Sequence, residues 1–161
     1  MLLEDIYEVE LEVGNHYARL DPPYVSKLGN ELYNHWTMFV RPSDPKVNDC
    51  DLIDFVEFKL HISYWPRHLH KIAPGQAKDK SAVPNLPAAR ADEINVSGRA
   101  WACFDVPTTI HWKKELKRPP DHIEHVLKFW EQGLWKTYYF QLSKKDVNKV
   151  RFQFKGKNQK K

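Results

Sequence analysis

An all-β sandwich or barrel is the fold class this sequence predicts, on three observations. Apolar residues recur with period two in several separate runs, the spacing that gives a strand one buried and one solvated face. Aromatic residues make up 13% of the chain, with six tryptophans, and they fall inside those alternating runs rather than in helical stripes. Eleven prolines punctuate the runs, as the many turns of such a fold require. At 161 residues the chain can bury one core and is too short for two comfortable ones. One domain is therefore expected over residues 1–155, containing a long insertion at 71–92 and followed by a basic tail at 156–161.

Taken in order, Asp5 to Leu20 alternates imperfectly through Ile6, Val9, Leu11 and Val13 and meets Gly14-Asn15, a turn or bulge signal; Asp21-Pro22-Pro23 ends this opening strand. Leu28 to Asn34 is an irregular approach. In HWTMFVR, Trp36, Met38 and Val40 alternate with Thr37, Phe39 and Arg41, a second strand closed by Pro42. Ser43 to Asp51 is an acidic loop. It leads into Phe55 to Arg67, FVEFKLHISYWPR, which places Val56, Phe58, Leu60 and Ile62 on a core face and Phe55, Glu57, Lys59 and His61 on the other. Pro66 ends it, so that His61, Ser63, Tyr64 and Trp65 are displayed at the end of a rigid element, a layout suited to a binding rim.

Lys71 to Asp92 loses the pattern and reads as a long mobile insertion. Alternation returns at Ile94, where a Ser97-Gly98 turn feeds Trp101 to Asp105 and Pro107 interrupts before Thr109 to Lys113, giving two short strands joined at Pro107 or one bulged strand; Phe104 is expected in the core. Between Pro119 and Leu134, Ile123, Val126, Leu127 and Trp130 have helical spacing after Asp121 and Glu124, while Ile123, His125, Leu127 and Phe129 also alternate. Periodicity leaves helix slightly ahead. Thr137 to Leu142 and Val150 to Lys155 close the fold as strands.

Several function classes are disfavoured. Cys50 and Cys103 form no disulfide framework, and no signal-peptide hydrophobic region precedes Glu4, so a reducing intracellular compartment is expected. No window approaches the roughly 20 apolar residues of a membrane span. His68 and His70 lack the spacing that would pair them with Cys50 or Cys103 around zinc. Cys103 lies in an alternating run, which makes it a core residue rather than a nucleophile. No acid-base or nucleophile constellation is visible, so the chain is expected to be no enzyme and to need no metal or cofactor. The net charge of +4 permits nucleic-acid contact without arguing for it, and Lys113, Lys114, Lys117 and Arg118 form the densest basic cluster. On residues alone, Tyr64, Trp65 and Trp101 are more often packing rings than a ligand sandwich.

Five segments in order, the strand ending in Gly-Asn-His, then HWTMFVR, VEFKLHISYWPR, SGRAWACFDVPTTIHWK and HVLKF, resemble the YEATS domain, an immunoglobulin-like sandwich that reads acylated lysine on histone tails. The resemblance covers about Ile6 to Phe140, and LHISYWPR and AWACFDVP are its specific parts. It implies an immunoglobulin-like antiparallel β-sandwich in which His125 to Phe129 is a strand. Carried over residue by residue, the histidine and serine of the family's motif match His61 and Ser63, and its following aromatic matches Tyr64. Trp101 matches the aromatic on the facing loop and Phe104 the phenylalanine after it. Tyr64 and Trp101 would then sandwich the flat acyl amide, the Trp101 backbone N–H would hold the acyl oxygen, and Ser63 with His61 the amide N–H side. Where the family has glycine before the loop aromatic this chain has Ala100. A turn requiring positive φ there leaves a second reading, an immunoglobulin-like interaction module with a degenerate pocket. The resemblance further implies a nuclear location and, as partners, an acylated histone tail and chromatin-complex subunits; the basic cluster leaves room for a weak DNA contact, and no membrane partner is expected.

Overall fold

The computed structural model describes residues 5–64, 68–76, 90 and 92–159, the last seven by their backbone alone. Among the described residues, eight strands form two four-stranded antiparallel sheets. The first sheet has the order β5-β2-β1-β8, with β1 Ile6–Val25, β2 Glu31–Pro42, β5 Ile94–Ala100 and β8 Gly133–Ser143. The second has the order β4-β3-β6-β7, with β3 Ile53–Lys59, β4 Leu69–Ile72, β6 Asp105–Trp112 and β7 Asp121–Val126. The expected immunoglobulin-like sandwich is what the chain adopts.

The alternation read from the sequence sorts the faces. Val9, Leu11 and Val13 of β1, Trp36, Met38 and Val40 of β2, and Val56 and Phe58 of β3 are all fully buried, with Leu60 close behind. Val106 and Ile110 of β6 join them in one core between the sheets. Phe104, expected in that core, is only half-buried and packs at its edge. Ile62 departs from its expected face, being 70% exposed, because β3 ends at Lys59 and a single-turn 3-10 helix, Ile62–Tyr64, turns the chain away.

Several boundaries differ from the sequence reading. Gly14 is neither turn nor bulge: β1 runs straight through it, pairing with Phe39 on one side and Trp135 on the other. Glycine is needed for space, since a Cβ would overlap the Leu134 carbonyl oxygen and the Trp135 side chain. The prolines do not end β1 either; the strand reaches Val25 by a register shift between Arg19 and Tyr24. Ser97-Gly98 lies inside β5, where Trp36 and Tyr64 carbons come within 2.8 and 3.0 Å of a built Cβ. Trp101 to Phe104 is therefore not a strand but the crossing between sheets, which leaves Cys103 exposed rather than in the core. Pro107 sits within β6 opposite Glu124 without breaking it.

The helical spacing after Pro119 gives way to β7, because Asp121 is occupied otherwise than as a cap: its carboxylate accepts from the Trp112 indole at 2.6 Å and from Arg118 at 2.8 Å. The strand implied at His125 to Phe129 is thus present but displaced, ending at Val126. Val150 to Lys155 is helical rather than extended, within α1, Lys144–Gln159. Ser143 caps it by accepting the Asp146 N–H at 3.4 Å, and Val147 and Val150, three apart, bury against the sandwich end. The expected tail from 156 therefore continues this helix to Gln159. Of the expected insertion, Lys71 and Ile72 belong to β4, and Arg90 pairs with Asp92 at 2.6 Å; residues 77–89 and 91, like Trp65, lie outside the described residues.

A buried amide bolts the sheets together. Asn15 of β1 is fully buried, and its Oδ1 accepts from His125 Nε2 at 2.8 Å and from the Lys128 N–H at 3.0 Å, while its Nδ2 donates to the Lys128 carbonyl at 3.0 Å. Burial first, then the Lys136 and Lys128 ammonium groups, lower the His125 pKa to about 4. His16, stacked on Phe39 at 4.5 Å, is likewise lowered to about 4, by burial and then by Arg41. In the unfolded chain both imidazoles titrate near 6.5, so between that pH and 4 the unfolded state binds more protons. Their contribution is complete above pH 6.5 and is lost as pH falls toward 4. Urea unfolding should therefore give a stability lower by roughly 2–4 kcal/mol at pH 5 than at pH 7.5, with a shallower dependence in His125→Gln. Equal stability at both pH values would contradict this assignment.

Candidate functional site

One end of the sandwich gathers the β1–β2, β3–β4 and β5–β6 connections, and there His61, Ser63, Tyr64, Ala100, Trp101 and Phe104 all line a single cavity of about 520 Å³. The six residues expected from the sequence are thus brought together, from segments some 40 positions apart.

Tyr64 is fixed through its hydroxyl, which both accepts and donates. Trp36 is fully buried in the core, and its indole N–H donates to the Tyr64 hydroxyl at 3.1 Å; the same hydroxyl donates to the Arg99 carbonyl at 2.7 Å. Burial raises its pKa to about 12, so the hydroxyl stays protonated and keeps donating. Its ring stands edge-on to Trp36 at 5.9 Å and tilted against Phe104 at 5.6 Å. Gly98 lets it approach: a side chain there would meet both Trp36 and Tyr64.

His61 and Ser63 form a local pair on the exposed rim. The Ser63 Oγ lies 2.9 Å from His61 Nδ1, which also accepts the Ser63 N–H at 3.2 Å. That makes Nδ1 an acceptor and leaves the proton on Nε2, so the rim offers a donor at His61 and an orientable hydroxyl at Ser63.

Ala100 is the last residue of β5, buried and paired with Asn34. Its φ is not in the left-handed region, where Lys117 and Glu131 are the non-glycine residues among those described. Alanine is therefore accommodated without strain at the place where the resemblance has glycine. The Asn34 side chain donates to the Ala100 carbonyl at 3.0 Å and accepts from the Tyr17 hydroxyl at 2.8 Å, and Tyr17 stacks on Phe129 at 5.2 Å. Two side chains, Tyr64 and Asn34, thus clamp the carbonyls just ahead of Trp101. Trp101 itself is 71% exposed and makes no ring contact with another described residue. Its ring and that of Tyr64 are on the same cavity but not stacked.

The clamp residues Asn34 and Trp36 were not among the site residues expected, and neither were Lys27, Leu28 and Arg99, which also line the cavity. Asn34 carries one sequence signal, a polar residue placed just where the HWT strand turns inward. Among the described residues no three His, Cys, Asp or Glu side chains converge to hold a metal, and no helix is long and apolar enough to cross a membrane. A larger cavity, about 930 Å³, lies at the opposite end beside α1, but its Arg151 and Asp51 are bonded to each other at 3.3 Å, with Asp49 on the same guanidinium at 2.9 Å. The Arg151 guanidinium there is thus already taken up by carboxylates.

Replacing Tyr64 by Phe should leave the Trp36 indole N–H buried and unpaired and cost about 1–3 kcal/mol in denaturant unfolding. Amide exchange at Arg99 to Trp101 should quicken with it. Wild-type stability and exchange in Tyr64→Phe would remove the clamp from the account.

No family model and no curated protein matches the chain. Solved structures do. A structure described as the Yaf9 YEATS domain bound to H3K27ac superposes with a TM-score of 0.66 at 17% identity, covering 92% of this chain and 94% of that one. Another, described as the Yaf9 YEATS domain recognising an H3K122suc peptide, gives 0.62 at 18% identity with the same coverage. A structure of Yaf9 described as a yeast AF-9 homolog gives 0.65 at 17% identity, covering 91% of this chain and 87% of that chain. At these identities the likeness is one of fold: the chain has the fold of a YEATS domain.

Proposed function

We propose that this YEATS-like fold acts as a non-catalytic reader of acylated lysine on histone tails, working in the nucleus as part of a chromatin-modifying or transcription assembly. The observation that carries the reading is the convergence of His61, Ser63, Tyr64, Ala100, Trp101 and Phe104 on one cavity. The fold shared with Yaf9 domains described as bound to acetylated and succinylated histone peptides supports it.

The chemistry follows from the walls. An acyl-lysine amide is flat and neutral, so the Tyr64 and Phe104 rings can cover one side of it and Trp101, free of other ring contacts, can close over the other. The clamped strand end would present the Trp101 N–H to the acyl oxygen, while Ser63, oriented by His61, would accept the amide N–H. An unmodified ammonium in the same place would lose hydration without a carboxylate to receive it, at a cost of several kcal/mol. At the other end, Lys113, Lys114 and Lys117 offer a weak DNA contact; Arg118 is taken up by Asp121.

A second reading, an immunoglobulin-like interaction module whose pocket has decayed, is favoured by the exposed and unstacked Trp101. Calorimetric titration separates the two. Acetylated and crotonylated histone peptides should bind at about micromolar to near-millimolar strength, since little surface is buried, and the unmodified peptide much more weakly. Crotonyl, flat and conjugated, should exceed saturated butyryl by about one stacking contact, roughly 0.5–1.5 kcal/mol. Trp101→Ala, an exposed position whose loss spares the core, should erase that difference. Equal affinity for acylated and unmodified peptides would favour the decayed module.

A further inference from the structure

The acyl-lysine reading uses the floor of the cavity, where Ala100 is buried and Tyr64 and Phe104 are half-buried, and leaves part of its rim unexplained. Two cationic residues stand there, Lys27 from the β1–β2 connection and Arg99 from the end of β5, both exposed. No Asp or Glu is among the described residues lining the cavity. Arg41, Arg90, Arg118 and Arg151 each pair with carboxylates, whereas Lys27 and Arg99 form no ion pair among the described residues. What holds Arg99 is the face of Tyr24, 4.2 Å from its guanidinium carbon, a contact that fixes the side chain without neutralising it. The rim is therefore a positively charged collar around an apolar, aromatic floor.

We infer that the cavity takes an acyl-lysine whose peptide carries an anionic side chain beside it, with Lys27 and Arg99 as specificity-determining residues; this rests on the acyl-lysine reading. The placement of charge decides where the anion sits. An anion at the far end of the acyl group would meet Ala100, Phe104 and the protonated Tyr64 hydroxyl, with no cation to offset its desolvation. An anion on a neighbouring residue stays at the wet rim, within the field of both cations. An arginine in that position would face two like charges and find no carboxylate. The carboxylate of Asp or Glu and the phosphate of a phosphorylated serine share this chemistry, and phosphate, the more highly charged, gains more.

The test is fluorescence anisotropy on the full chain with one labelled acetyl-lysine peptide, varied only at the residues flanking the acetyl-lysine, which are alanine, glutamate, phosphoserine or arginine. At ~50 mM salt the glutamate and phosphoserine peptides should bind about 3- to 10-fold tighter than the alanine peptide and the arginine peptide more weakly, the spread shrinking at ~300 mM. Lys27→Gln with Arg99→Gln should collapse the spread. A gain for phosphoserine alone identifies phosphate as the source; a gain for both admits either. Arginine equal to or better than glutamate, or a spread that survives in the double variant, overturns the inference. So does a succinyl-lysine peptide with alanine flanks that matches the glutamate-flanked acetyl peptide, because it moves the anion to the acyl end. If acetylated and unmodified peptides bind alike whatever their flanks, the acyl-lysine reading falls; if acetylation is required and flanks are indifferent, only this inference does.

Discussion

The indole N–H of Trp36 has to be satisfied in the dry centre of the sandwich, and the way it is satisfied builds the site. Trp36 is fully buried between the sheets, where an unpaired donor would cost about 1–3 kcal/mol. The Tyr64 hydroxyl takes that proton bond and passes its own to the Arg99 carbonyl. One requirement of the core thereby links β2 of one sheet, the turn after β3 of the other, and the end of β5. The cavity floor is thereby tied to the core, the arrangement that the proposed binding pocket would need so as not to spend its affinity on ordering itself.

The two ends of the sandwich have diverged along the same lines. At the α1 end two arginines are paired: Arg151 holds Asp49 and Asp51, and Arg118 holds Asp121. Helix α1 closes over that end with Val147 and Val150. At the other end the connections leave donors, rings and two cations facing solvent. The chain is closed at the first end and open at the second, the usual division between a scaffold and the loops it carries.

Much of this was legible in the sequence because period-two alternation survives wherever one face is buried, as at Val56, Phe58 and Leu60. That His61, Ser63, Tyr64 and Trp101 would be grouped on one cavity was legible through the joint spacing of His61, Ser63 and Tyr64 and through the small residues around Trp101. What alternation cannot report is a residue whose partner lies far along the chain. Gly14 read as a turn because its reason is Trp135 packing across the sheet. Ser97-Gly98 read as a turn because its reason is the approach of Trp36 and Tyr64. Asp121 misled for another reason, since its partners are near in the chain: spacing does not report that its carboxylate is taken by the Trp112 indole and Arg118 rather than by a helix N-terminus. Val150 to Lys155 misled in the opposite sense: alternation was present, but Val147 and Val150 at helical spacing decide where the segment docks. The rim cations went unnoticed for a related cause, since Lys27 and Arg99 are 72 positions apart and only the folded chain puts them on one cavity.

The central claim, that the aromatic cavity at the open end receives the acyl group, is tested most directly by isotope-filtered nuclear Overhauser spectroscopy on a complex with an acetyl-lysine histone peptide. The account predicts cross-peaks from the acetyl methyl to the rings of Tyr64, Trp101 and Phe104, and none to Arg151 or Phe152 at the far end. Contacts to the α1 end, or an acetyl methyl that contacts no ring of the three while the peptide is bound, would contradict it.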